Sequence, residues 1–185
     1  MSFPIVKYGN PVLRKKGAPI EDFSAATQTL IDEMFDTMYK SRGLGLAAQQ
    51  IGKALLLTVI DVRGAKDRPS TLELHGEAAP VDSFMPLVLI NPQIKPEANA
   101  VAGPEGCLSF PEIFADITRP AEISVTALDR HGKKIQFKCG GLLARAIQHE
   151  VDHLNGILFI DRMSMDDKEQ FREELKKLQA EGRKE

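Results

Sequence analysis

The chain has 185 residues, 43% hydrophobic and 27% charged, which suits one folded domain with a sizeable core. Its 24 basic and 26 acidic residues leave a net charge of −2, so nothing argues for a nucleic-acid-binding surface. No run approaches the ~18 apolar residues of a membrane span, and Met1–Ile5 shows no secretory leader.

With Cys107 and Cys139 as its only cysteines, the chain cannot be a disulfide-stapled scaffold. A cytoplasmic location with reduced thiols is therefore expected. In chain order, Asp22, Phe23 and Ser24 offer a cap, and Leu30, Ile31, Met34 and Met38 follow at helical spacing. They predict an amphipathic helix over 25–41 that ends at Gly43. The apolar, β-branched stretch 54–62 predicts a buried strand. Residues 64–83 lose periodicity around Pro69, Gly76 and Pro80 and read as a long, mobile surface excursion. A second strand over 86–90 is expected to stop at Asn91-Pro92. Residues 121–128 and 133–139 alternate as paired strands, joined by the turn Asp129-Arg130-His131-Gly132.

Gly140-Gly141 breaks that pattern, and 142–154 reads as a helix with little room for water around it. A helix apolar on most sides is a central, buried one. A last helix over 166–180, docked or partly detached, carries a narrow stripe of Phe171, Leu175 and Leu178. The division expected is a catalytic domain over 1–165 with a C-terminal helical extension over 166–185. Hairpins with segregated helices place the chain in the α+β class.

The central helix contains Gln148-His149-Glu150-Val151-Asp152-His153. Residues four apart share a helix face, so both imidazoles can converge on one ion. Glu150 then sits beside the ion as a base for water activated there. The alternative is two satisfied histidines, with Glu150 and Asp152 facing solvent. It fits poorly on a helix this apolar, because buried polar groups must be paired or bound. A catalytic centre needs a third ligand, and Cys107 in Gly103-Pro104-Glu105-Gly106-Cys107-Leu108-Ser109 is the best candidate, although a lone cysteine is more often core packing. Cys139 keeps that packing role.

Gly43-Leu44-Gly45-Leu46-Ala47-Ala48-Gln49-Gln50 has the form of a dinucleotide fingerprint, but a helix precedes it and a strand follows. It fits better as a peptide-binding edge that aims Gln50 into the site.

These three stretches together resemble the peptide deformylases, which remove the N-formyl group from the first methionine of newly made polypeptides. The resemblance runs from about Pro4 to Asp161 and matches all three family motifs in order. It implies small antiparallel sheets packed around the metal-binding helix. Cys107, His149 and His153 would be the ligands, usually of Fe²⁺, for which Zn²⁺, Ni²⁺ or Co²⁺ can substitute. Glu150 would be the general base and acid, while Gln50 and the N–H of Leu108 would hold the oxyanion. Leu44, Gly45 and Gly106 would bind the formyl-methionyl peptide as an added strand. The resemblance also suggests ribosome contact through the C-terminal helix, where Lys176, Lys177, Arg183 and Lys184 offer charge; a solvated amphipathic end is the alternative. Three features depart from the family pattern: the length of 64–83, Pro104 in place of an acidic residue, and Ile113-Phe114 where some relatives are basic.

Two rivals have their own requirements. A zinc endopeptidase also satisfies H-E-x-x-H but normally takes its third ligand downstream, where no histidine follows His153. A structural metal module, or an inactive binder of formylated termini, needs a fourth protein ligand or a lost base.

Overall fold

The computed structural model describes residues 2–184. Helix α1 spans Ala25–Lys40, and the short strands β1 (Gly45–Ala47) and β2 (Leu57–Ile60) follow. Next come β3 (Ser70–Leu74), β4 (Glu77–Ala78) and β5 (Leu87–Pro96). Four longer strands complete the set: β6 (Ala100–Cys107), β7 (Phe110–Pro120), β8 (Glu122–Leu128) and β9 (Lys134–Gly140). Helices α2 (Gly141–Leu154), α3 (Phe159–Arg162), α4 (Met165–Gln170) and α5 (Arg172–Gly182) end the chain.

The fold is α+β, with a seven-stranded antiparallel sheet in the order β1-β2-β5-β8-β9-β3-β4 and a separate β6-β7 hairpin. Strand periodicity explains how the sheet carries a helix on each face. Leu57, Val59, Val88 and Ile90 point to the side holding Ile31, Met34 and Met38 of α1. Ile60, Leu87 and Leu89 point to the other side, against Leu143, Ile147 and Val151 of α2. Helix α2 is thus pinned on the sheet, and the hairpin closes over it.

Three expectations need correction. Residues 64–83 are not a structureless excursion: β3 pairs with β9 and buries Leu72 against the core. A strand with one obligatory apolar position carries too little periodic signal to be read. Strand β5 does not stop at Asn91-Pro92. Asn91 takes a left-handed φ of 51° and the register shifts between Ile90 and Gln93, so the chain passes Pro92 through a bulge. The last helix is interrupted at Phe171 and then docks. Leu178 is buried, and the α-carbon of Gly182 approaches the backbone so closely that an added Cβ would lie 2.3 Å from the Tyr8 oxygen. The β6-β7 hairpin has no counterpart among the elements expected from periodicity.

Candidate metal centre

Every residue of α2 except Gly141 and Ala146 is buried. His149 and His153 sit one turn apart on it, with ring centroids 5.1 Å apart. Cys107 ends β6 where the hairpin register shifts after Gly106, which turns its thiol toward the helix. Its Sγ lies 3.2 Å from His153 Nε2, and the ligating atoms of the three residues all fall within 4.8 Å of one another. No other group of this kind occurs among the described residues. His149 Nδ1 is 2.9 Å from Glu105 Oε2. An ionised carboxylate only accepts, so the ring donates from Nδ1, and Nε2 is left for an ion. Burial opposes charge on both rings, yet bonds to Cys107 and Glu105 push His149 well up, while burial and the neighbouring His149 push His153 well down. Two imidazoles and a thiol whose ligating atoms converge within 4.8 Å form a donor set that a divalent cation fits.

Glu150 lies between the histidines in sequence and against β1 in space. A Cβ on Gly45 would fall 2.4 Å from Glu150 Oε1, so any other residue here would force the carboxylate to move. Its Oε2 is buried and has no hydrogen-bond partner in the structure. Burial pushes this carboxyl up to about 7, near the value a proton carrier needs at neutral pH. Gln50 accepts from Ala47 N through Oε1 at 2.9 Å and turns Nε2 toward Ser109 Oγ at 3.3 Å and Cys107 Sγ at 3.5 Å.

These groups line one cleft of about 550 Å³. Leu44, Gly45, Gln50, Gly106, Cys107, Leu108, His149 and Glu150 all border it, and His153 lies behind Cys107. Ile5, Phe110, Leu142 and Ala146 add apolar wall, while Arg42, Arg68, Pro104 and Phe114 reach its lining. The structure therefore brings together all nine residues singled out from the sequence. Cys139 stays apart in the core, where burial pushes its thiol up to about 12.

Sequence reasoning assigned no role to the charged cluster behind these three convergent donors. Glu105, Arg119, Arg145 and Asp152 are all buried. Arg119 bonds Glu105 from Nε at 2.5 Å and Nη2 at 2.9 Å, and reaches Asp152 from Nη1 at 2.7 Å. Bonds from His149 and Arg119 outweigh the burial of Glu105 and hold it at about 2. Two signals were present. Arg145 and Asp152 lie on an apolar helix, and Arg119 continues the buried phase of Ile113, Ala115 and Ile117 along β7.

A model of the family described as polypeptide deformylase matches residues 2–169. The chain is 51% identical over 165 residues to a peptide deformylase of Opitutus terrae, covering 88% of this chain and 85% of the relative. It is 45% identical over 178 residues to one of Methylacidiphilum infernorum, covering 96% and 93%. Its fold matches the crystal structure of a peptide deformylase from Legionella pneumophila with a TM-score of 0.80 at 40% identity, over 96% and 95% of the two chains. The peptide deformylase of Thermus thermophilus gives a TM-score of 0.81 at 35% identity, over 98% and 99%.

Proposed function

Because the chain belongs to the polypeptide deformylase family, metal-dependent hydrolases that take the N-formyl group from nascent polypeptides, we propose that Cys107, His149 and His153 hold its metal ion. The observation that carries this reading is the convergence of one thiol and two imidazoles beside a buried carboxylate oxygen that has no partner. When bound, a divalent ion at this centre supplies Lewis acidity to water and to the formyl oxygen.

The chain's own residues do the rest. Glu150 takes a proton from the attacking water at its free oxygen and delivers it to the amine that leaves, so formate and a free N-terminus result. Gln50 Nε2 and the Leu108 N–H receive the charge that develops on the formyl oxygen. The edge at Leu44 and Gly45 pairs with the peptide backbone on one side, and Gly106 admits it on the other. The apolar wall receives the methionine side chain.

The native ion in this reading is Fe²⁺, with Zn²⁺, Ni²⁺ or Co²⁺ able to replace it, since two imidazoles and a thiolate suit each of them. The protein works in the cytoplasm, and no helix among the described residues is long and apolar enough to cross a membrane. Residues up to 165 carry catalysis, and α4 and α5 form the C-terminal extension that meets the ribosome.

Metal content and substrate order on one preparation test the reading. Formyl-Met peptides are expected to turn over first. Acetyl-Met peptides should be slower by about tenfold to several hundredfold, because the extra methyl must crowd a close-packed site. Blocked internal peptides should not be cut. Efficient internal cleavage would favour an endopeptidase, and full metal with no turnover would favour a binding module.

A further inference from the structure

Beyond the ligands, the geometry points to Arg119 as a positioning residue: its guanidinium fixes the Glu105 carboxylate that receives the Nδ1 proton of His149. The inference rests on the reading of His149 as a metal ligand.

Arg119 enters from β7, Glu105 from β6, and Asp152 and His149 from α2. One side chain, 3% exposed, therefore ties both hairpin strands to the ligand helix, between its two histidines. Its Nε and Nη2 grip the two oxygens of Glu105, while Nη1 is committed to Asp152. Oε2 of Glu105, gripped on one side by Nη2, faces His149 Nδ1 on the other at 2.9 Å. The carboxylate plane, and with it the direction of the imidazole, is set by this two-pronged contact.

No neighbour replaces it. Arg145 also reaches Glu105, at 2.9 Å, but its guanidinium is held by the carbonyls of Ile117 at 2.6 Å and Val101 at 3.0 Å. Without Arg119, Glu105 would keep one arginine bond, on Oε1, and Oε2 would have no contact but the imidazole it is meant to orient. A lysine keeps charge at position 119 but not the planar fork that serves two carboxylates at once. Net stability is a weak reason for such a cluster, because the cost of desolvating buried ions largely offsets their attraction. Orientation of a ligand is the stronger one, and partners behind a ligating histidine typically matter about 10–100-fold in metal affinity.

The test uses the full chain with Co²⁺ alone, reading its affinity by chelator competition, and with Zn²⁺ for the imidazole Nδ1–H resonance of His149. Arg119→Met is expected to bind Co²⁺ about 10–100-fold more weakly and to lose the protected Nδ1–H signal. Arg119→Lys should fall between it and the unmodified chain. Arg162→Met breaks only the outer bonds to Asp152, and should keep the original affinity and signal. A purely structural role would lower the unfolding temperature and leave affinity and the Nδ1–H signal unchanged; that result in Arg119→Met overturns the proposal. If Arg119→Met does not fold, unchanged affinity and signal in Arg119→Lys overturn it instead. Failure of the ligand reading looks different: the unmodified chain takes up no Co²⁺, or Cys107→Ala holds it as tightly.

Discussion

Gly45 and Glu150 are in contact across the boundary between sheet and helix: the carboxylate occupies the space that any side chain at position 45 would need. In the proposed reading the edge strand then does two things at once, offering backbone to a peptide and leaving room for the Glu150 carboxylate.

Gly45→Ala is expected to keep the bound metal and lose turnover. The methyl would meet Glu150 Oε1 at 2.4 Å, so the carboxylate must move, and a displacement near 1 Å typically costs about 10²-fold in rate. Parallel measurements of metal content and kcat check this. Full turnover in the alanine variant would mean that the placement of Glu150 is not critical.

Glu150→Gln should leave Cys107, His149 and His153 untouched and remove the proposed proton carrier. Loss of such a group typically costs about 10²–10⁴-fold in rate. Metal content equal to that of the unmodified chain, with near-normal deformylation, would remove Glu150 from its role.

The two cysteines should separate cleanly. Cys107→Ala loses most bound metal, because Cys107 is one of the three convergent donors. Cys139→Ala keeps the metal and loses only core packing, since that thiol is buried among Leu72, Ile123 and Leu142. Metal analysis of both variants decides it. An iron-loaded chain is further expected to lose activity in air faster than under argon, and the zinc form is not.

Acid sensitivity should trace in part to Glu105. Its folded-state pKa is lowered to about 2 from an ordinary 4.5, so the stabilisation is present above about pH 4.5 and is lost as pH falls toward 2. The contribution is on the order of 3 kcal/mol. Urea unfolding of the metal-free chain at pH 5 and pH 3 should show a smaller drop for Glu105→Gln than for the unmodified chain. Equal drops would place the acid sensitivity elsewhere.

Local pattern and local chemistry were enough for much of this protein. Helix α1 shows in the spacing of Leu30, Ile31, Met34 and Met38, and α2 in its nearly unbroken apolar face. Two histidines four residues apart on such a helix already point to a shared partner, because buried imidazoles need one. Strands β8 and β9 were legible because a short turn joins them and both alternate.

Tertiary structure decided what depends on distant partners. Strand β3 exists because β9 offers it an edge, and β5 runs on past Pro92 because a bulge at Asn91 absorbs the break. The hairpin hid behind Arg119, which fills a buried strand position that an apolar residue would normally mark. Its charge is acceptable there only because Glu105 and Asp152, 14 and 33 residues away in the chain, meet it in the interior. The same holds for Gly45: that a side chain there would displace a carboxylate follows from where Glu150 arrives, more than 100 residues later in the sequence. Periodicity records which residues are buried; which groups meet inside, and so which charges are tolerated and which ligands are aimed, is set only when the chain folds back on itself.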